Sequence, residues 1–446
     1  MRIFSVFLLM LMSVLFVQNG FGQAKPAPLN IKQRVLPNGL RVVSLQDKTS
    51  PTVAIHVWYN VGSKDDPPGR SGFAHMFEHM MFKSTKNMPS EKFDRLTEDV
   101  GGFNNASTYD DFTNYYEVVP SNYLETLLWA ESDRMVNLNV DESNFNSERD
   151  VVKEEFRQRI LSNPYGMLFG QYLEKLSFTK HPYMRPGIGN LDELSAATPK
   201  DAEEFYKTFY RPDNAVLIVV GDFDQKQFDR WTDKYFGRIA KPSGSIPRVT
   251  TIEPERTSEK RHTTTAPNVP FPAVAITYLA PTSKDKDVPA LRVAETILSG
   301  GESSRLYQEL VYKQQLAQEA SFSADIRVDR GLLYFLGIGS EGKTAEALEK
   351  SLLAELNRIQ TAPVSAKELE KAKNQLIMRK LQELETNDGK ALAIERAVAY
   401  EGDPTAVNRD IAELQAVTAA DVQRVMKKYF TDTNRVVIYY QQGEGK

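Results

Sequence analysis

The sequence predicts a duplicated α+β fold, and three observations carry that prediction. The chain has 446 residues, whereas single hydrophobic cores stop growing at roughly 250–300 residues, so two or more domains are expected. Runs that alternate every second residue are mixed with runs of helical spacing along the whole length. Finally, TPKDAEEFYKTFYRPDNAVLIVV, starting at Thr198, and TAADVQRVMKKYFTDTNRVVIYY, starting at Thr418, stand in register at an offset of 220. Thr198 meets Thr418, Asp201 meets Asp421, Asn214 meets Asn434 and Ile218 meets Ile438. Each copy reads as a helix, an aromatic pair, a polar turn and a β-branched strand, placed at the end of its half of the chain. The seam falls in the Pro-, Ser- and charge-rich stretch 240–261, which gives expected domains at residues 25–245 and 263–446 joined by a linker at 246–262.

Residues 1–24 stand apart. Arg2, the apolar run from Ile3 to Val17, and small residues at Gly20, Gly22 and Ala24 read as a secretory signal peptide. The run falls short of the ~20 residues a bilayer-spanning helix needs, so no stable membrane span is expected after cleavage. The mature chain is expected to be secreted, and periplasmic in a Gram-negative source. Hydrophobic residues at 41% and charged residues at 26% are ordinary for a folded domain and exclude disordered and multi-span membrane classes. A net charge of −4 gives no reason to expect nucleic acid. Cysteine is absent, which removes disulfides, a lipidated cysteine and thiolate metal ligands together.

The elements follow in order. KQRVLPNGLRVVSLQD (32–47) is two β-rich runs about the turn Pro37-Asn38-Gly39, and TVAIHVWYNVGS is a further strand. Residues 71–83, 90–100, 121–136 and 141–161 read as helices. Between them, GFNNASTYDDFTNYYEVVP reads as two strands, and AVLIVVGDF (215–223) as a short buried one.

The chemistry concentrates in GRSGFAHMFEHMMF, residues 70–83, where two of the chain's five histidines lie four apart with a glutamate just before the second. On a helix that spacing stacks His75 and His79 on one face, with Glu78 beside them. Two neutral imidazoles suit zinc, and a carboxylate beside the metal can take a proton from water. The order His-x-x-Glu-His is the inverse of the commoner zinc-protease motif and is itself a zinc-peptidase signature. A catalytic zinc wants a third protein ligand. His56, His181 and His262 are scattered, so a carboxylate is expected from SERDVVKEEFRQR. There Glu148 and Glu155 lie two helical turns apart, interleaved with Val151 and Val152, although spacing does not choose between Glu154 and Glu155.

These residues resemble the pitrilysin/insulinase family of inverted-motif zinc peptidases, which includes the mitochondrial processing peptidase. Beyond HMFEH the resemblance includes GGFNNASTYDDFTNYYEVVP, ERDVVKEE, KHPYMRPGIGN, FYRPDNAVLIVVGDFD and GGESSRLYQEL. It implies a processing-peptidase-like duplicated fold: two homologous domains, each a mostly antiparallel sheet packed with helices, the second of them non-catalytic. It implies one zinc per chain held by His75, His79 and Glu155, with Glu78 as general base and Glu148 as a carboxylate that orients a histidine. Asn105 and Ala106 match the positions where an edge strand pairs with the backbone of an extended peptide substrate. The implied activity is that of a zinc metalloendopeptidase hydrolysing peptides or unfolded segments; the alternative is a non-catalytic peptide-binding or scaffold subunit of the same family.

One departure bears on partners. The family's second half carries Leu-Arg-x-x-x-x-Leu-x-Tyr, whose arginine and tyrosine reach the active site. In LVYKQQLAQ (310–318), Val311 and Gln318 stand in those places. Half-size relatives pair into a clamshell, so the expectation is a heterodimer with a homologous metal-free subunit that carries the arginine and tyrosine. A homodimer using Arg305 or Tyr307 is the weaker expectation.

Overall fold

The alternating pattern of residues 32–59 folds into three strands, β1 (Lys32–Val35), β2 (Arg41–Gln46) and β3 (Thr52–Tyr59). The computed structural model describes residues 27–443, so the expected signal at 1–24 lies outside the described residues. The first half continues with α1 (Phe73–Met80), α2 (Lys92–Glu98), β4 (Phe103–Thr108), β5 (Thr113–Pro120), α3 (Leu124–Asn137), α4 (Glu142–Phe156), α5 (Leu173–Ser177), α6 (Leu191–Ala196), α7 (Pro199–Phe209), β6 (Ala215–Gly221) and α8 (Gln225–Tyr235). Its six strands lie in the order β1-β2-β6-β3-β5-β4, antiparallel except for β2 against β6.

The second half holds β7 (Lys260–Ala266), β8 (Ala273–Leu279), α9 (Val288–Ser299), β9 (Ala317–Asp325), β10 (Leu332–Gly339), α10 (Ala345–Thr361), α11 (Ala366–Glu383), α12 (Asn387–Glu401), α13 (Asp410–Ala416), α14 (Ala419–Tyr429) and β11 (Val436–Gln442). Its sheet runs β7-β11-β8-β10-β9, again antiparallel apart from one parallel pair, β7 against β11. The fold is therefore α+β with two mostly antiparallel, helix-packed sheets.

The repeat at offset 220 has an atomic counterpart. Thr198 and Asp201 form a capping box at the start of α7, and Thr418 and Asp421 form the same box at the start of α14. In the turns that follow, Asn214 Nδ2 donates to Phe209 O at 2.8 Å and Asn434 Nδ2 donates to Tyr429 O at 2.8 Å. Each asparagine ties its helix end to the strand it precedes.

Each sheet buries one face on its own helices and the other on a helix from the opposite half. Val53, Ile55, Val57 and Tyr59 face Phe77 and Phe205 of the first core. The intervening His56 faces α12, where its Nδ1 lies 2.8 Å from Glu395 Oε2. Asn387 and Lys390 of α12 reach Thr52 O at 3.0 Å and Asp47 Oδ2 at 2.5 Å. Reciprocally, Leu168 and Leu173 pack on Ala273, Ala275, Val436 and Ile438 of the second sheet. The stretch between the halves is pinned as well. Glu253 accepts from the backbone N–H groups of Thr179, Lys180 and His181, and Arg256 donates to Ser177 O and Asn434 O. Strand pairing already begins at Lys260.

Candidate metal centre

The helix that carries the motif begins at an unusual cap. Gly72 adopts φ +97°, a region that favours glycine. Six residues upstream, Asp66 accepts from Gly72 N at 2.6 Å and Ala74 N at 2.9 Å, satisfying donors the helix cannot pair itself. Gly72 also touches Gly189, and a Cβ on Gly72 would stand 2.9 Å from Gly189 Cα. Through that contact the stretch 180–190 packs against the start of the helix that carries the histidines. Phe73, Met76, Phe77 and Met80 are buried and hold α1 down. His75, Glu78 and His79 are left on its accessible side, where His75 and His79 remain 14% and 24% exposed.

Helix α4 supplies the facing carboxylates. Asp141 caps it by accepting from Asn144 N at 2.8 Å, and Phe145, Val152 and Phe156 bury its inner side. The two valines interleaved with the glutamates divide: Val152 is buried but Val151 is 46% exposed. Consecutive residues on a helix lie about 100° apart, so both cannot share the inner face. Helical geometry also ends at Phe156, and Arg157–Leu161 widen into a π-type turn. Glu154 points outward to Arg157 at 3.1 Å. Glu155 instead turns inward, its Oε2 lying 3.6 Å from His75 Nε2 and 3.4 Å from His79 Nε2. One donor atom from each of His75, His79 and Glu155 lies within 4.8 Å of the others, the one such trio among the described residues. Two imidazole nitrogens, one carboxylate oxygen and an accessible fourth side fit the three-ligand, open-position arrangement of a catalytic zinc.

Glu148, one helical repeat earlier, sets its Oε2 3.6 Å from His79 Nδ1, an ion-pair contact longer than a hydrogen bond. Burial pushes Glu148 upward, but its contacts with His79 and Lys83 hold the carboxyl below its ordinary value. The contact with His79 likewise keeps Glu155 low, against its partial burial. Burial depresses both histidines. For His79 the two carboxylates more than reverse it, to about 9, whereas His75 drops to about 4 because Glu155 only partly opposes the burial. Glu78 is raised by burial, and Thr108 at the end of β4 opposes the rise by hydrogen bonding to it.

Strand β4 is the edge of the first sheet. Its Asn105 Oδ1 accepts from Ala106 N at 2.8 Å, and among the described residues no strand pairs on its outer side. The corresponding edge of the second sheet, β9, is filled from α9: Ser299 Oγ accepts from Phe322 N at 2.5 Å and Glu295 Oε1 from Ala324 N at 3.2 Å. Val311 packs against the second core, and Gln318 is exposed on β9. Arg305 is held by Glu368 through contacts of 2.8 and 3.1 Å. The remaining histidines serve elsewhere: His56 under α12, His181 beside Asp329 at 3.3 Å, and His262 on β7. Asp66, Lys83, Thr108 and Arg159 escape sequence reasoning. For Lys83 and Arg159 a signal exists, since they lie four residues after His79 and Glu155.

Residues 41–181 match the family described as insulinase (peptidase family M16), and residues 196–376 match the peptidase M16 inactive domain. The zinc protease PqqE of Helicobacter pylori is 33% identical over 437 residues, covering 97% of this chain and 98% of that protein. A solved protease from Helicobacter pylori superposes with a TM-score of 0.90 at 31% identity, covering 93% of this chain and 100% of that one. The first half of the periplasmic protease PqqL from Escherichia coli shares the fold, with a TM-score of 0.74 at 18% identity over 94% of this chain and 93% of that one. With two M16 domains in tandem and a relative matched from end to end, this chain belongs to the pitrilysin/insulinase (M16) peptidase family, in its half-size form.

Proposed function

We propose that the chain is the zinc-bearing subunit of an exported metalloendopeptidase that cleaves extended peptides. The observation that carries this reading is the convergence of His75, His79 and Glu155 within 4.8 Å, on a helix that also presents Glu78. His75 Nε2, His79 Nε2 and Glu155 Oε2 would hold the ion, and Glu148 would fix the ring of His79. A zinc ion held by these residues would supply Lewis-acid chemistry, lowering the pKa of water toward 7 and polarising a carbonyl.

The chain's own residues do the rest. Glu78 accepts a proton from the attacking water and returns it to the leaving amine nitrogen, and its burial-raised affinity for protons suits both transfers. Thr108 hydrogen-bonds to that carboxylate at the end of β4, the strand proposed to receive the peptide. An extended peptide would add as a further strand on the outer edge of β4, displacing the Asn105 carboxamide from Ala106 N. The side chains filling the β9 edge leave the second half no equivalent place, which supports peptide binding on β4 alone.

The second half offers no arginine and tyrosine at Val311 and Gln318, and Arg305 is already committed to Glu368. This supports a heterodimer in which a homologous metal-free subunit supplies them, over a homodimer using Arg305 or Tyr307. Export rests on the signal-like residues 1–24; among the described residues no helix is long and apolar enough to cross a membrane.

The test is cleavage of a quenched fluorescent peptide library by the zinc-loaded chain, alone and with candidate sister subunits, with a chelator control. Glu78→Gln should retain zinc and lose about 10²–10⁴-fold in rate. Near-normal turnover by Glu78→Gln refutes the catalytic assignment. Full activity of the isolated chain refutes the need for a partner.

A further inference from the structure

Both carboxylates that face the histidines have their oxygens divided in the same way. Glu148 Oε1 is bound by Lys83 Nζ at 2.6 Å while its Oε2 faces His79 Nδ1. Glu155 Oε1 is bound by Arg159 Nη1 at 2.7 Å while its Oε2 faces His75 and His79. In each case a cation occupies one oxygen and leaves the other to the imidazoles.

The two cations differ in burial. The Lys83 side chain is 27% exposed and Glu148 only 7%, with Ser147 Oγ as the other donor to Oε1, at 3.2 Å. Arg159 is 74% exposed. An ion pair of the first kind is screened less by solvent than one of the second kind.

We propose, on the reading that this trio binds zinc, that Lys83 is a positioning residue for the metal centre, acting through Glu148 on His79. Lys83 fixes the Glu148 carboxylate so that its negative Oε2 stays on the Nδ1 side of the His79 ring, 3.6 Å away. A negative oxygen on that side favours a proton on Nδ1 and so leaves Nε2, which faces Glu155 and His75, as the nitrogen that would hold the ion. His75 has no such partner, its Nδ1 being buried with no hydrogen bond, so an orienting carboxylate acts on the pair from the His79 side. Lys83 sits in the first residues after α1, with its backbone N–H donating to Met80 O at 3.0 Å, so it is placed by the same helix that places His79.

The experiment measures the zinc dissociation constant of the whole chain by competition with a chromophoric chelator, beside the melting temperature of the metal-free form. Lys83→Met should weaken zinc by about 10–100-fold, as loss of an outer partner of a ligand does, and Lys83→Arg should recover most of it. Arg159→Met should cost at most about fivefold, the limit for an exposed ion pair. In a Glu148→Gln background, Lys83→Met should have no further effect, because its route to His79 is already cut.

Wild-type zinc affinity in Lys83→Met, with His79→Ala abolishing binding, overturns the inference and leaves the metal centre standing. So does a loss that is fully additive with Glu148→Gln, or one that follows a matching fall in melting temperature without rescue by arginine. If the wild-type chain takes up no zinc, the metal centre itself is wrong and the inference falls with it.

Discussion

His56 should be a measurable source of pH-dependent stability that joins the two halves. It is 1% exposed on β3, and α12 brings Glu395 Oε2 to 2.8 Å from its Nδ1 and Asp388 Oδ1 to 3.2 Å from its Nε2, with the Tyr116 ring at 5.4 Å. Burial alone would lower its pKa, but the two carboxylates overcome that and raise it from 6.5 to about 9. At about 1.4 kcal/mol per pK unit, a rise of that size is worth about 3 kcal/mol. Because the folded value lies above the unfolded one, the contribution is complete below about pH 6.5, shrinks as pH rises, and is gone above about pH 9.

For a chain of 446 residues the unfolding entropy is roughly 0.9 kcal/mol/K, so 3 kcal/mol corresponds to roughly 3–4 °C in melting temperature. Asp66, pushed by burial to about 7, and Glu174, to about 8, titrate in the same range. The measurement is therefore a difference: melting of the wild type against His56→Gln from pH 6 to 10. The gap should be widest near pH 6 and close by about pH 9.5. A gap independent of pH, or one that widens with alkalinity, would refute the charged latch.

Three other outcomes follow from the site. Gly189→Ala places a Cβ 2.5 Å from Ser71 O at φ +89°, and should cost about 1–3 kcal/mol and weaken zinc binding by shifting the start of α1; calorimetry with zinc titration checks both. Asp66→Ala removes the cap from the same helix and should cost at least the ~0.5–2 kcal/mol of an ordinary N-cap, and an unchanged melting temperature would show that water replaces the carboxylate. Stripping zinc should lower the melting temperature by about 3 °C for a chain held at 100 times its dissociation constant, from mass action worth ~2.7 kcal/mol. Single changes of His75, His79 or Glu155 to alanine should abolish that difference.

The sequence by itself determined the duplicated architecture, through the repeat at an offset of 220, and the shared helical face of His75, Glu78 and His79, through short-range periodicity. An i,i+4 pair on a helix shares a face whatever surrounds it, and a capping box such as Thr198 with Asp201 is complete within four residues. Spacing also nominated the helix of Glu148 and Glu155, but it left Glu154 open and grouped Val151 with Val152. Which way α4 turns is set by what Phe145, Val152 and Phe156 bury, and only that rotation sends Glu154 to Arg157 and Glu155 to the histidines.

Tertiary structure alone decided the contacts between segments far apart in the chain. Asp66 capping α1, Gly72 touching Gly189, His56 locked under α12 and each half's helix covering the other half's sheet join residues that no local period relates. Lys83 and Arg159 lie between the two cases. Each stands four residues from its histidine or glutamate, yet which carboxylate oxygen each one occupies follows only from the packing of α1 against α4. Pattern in the chain selects which faces side chains share. The burial of large apolar groups then fixes how those faces meet, and so which polar atoms come within reach of one ion.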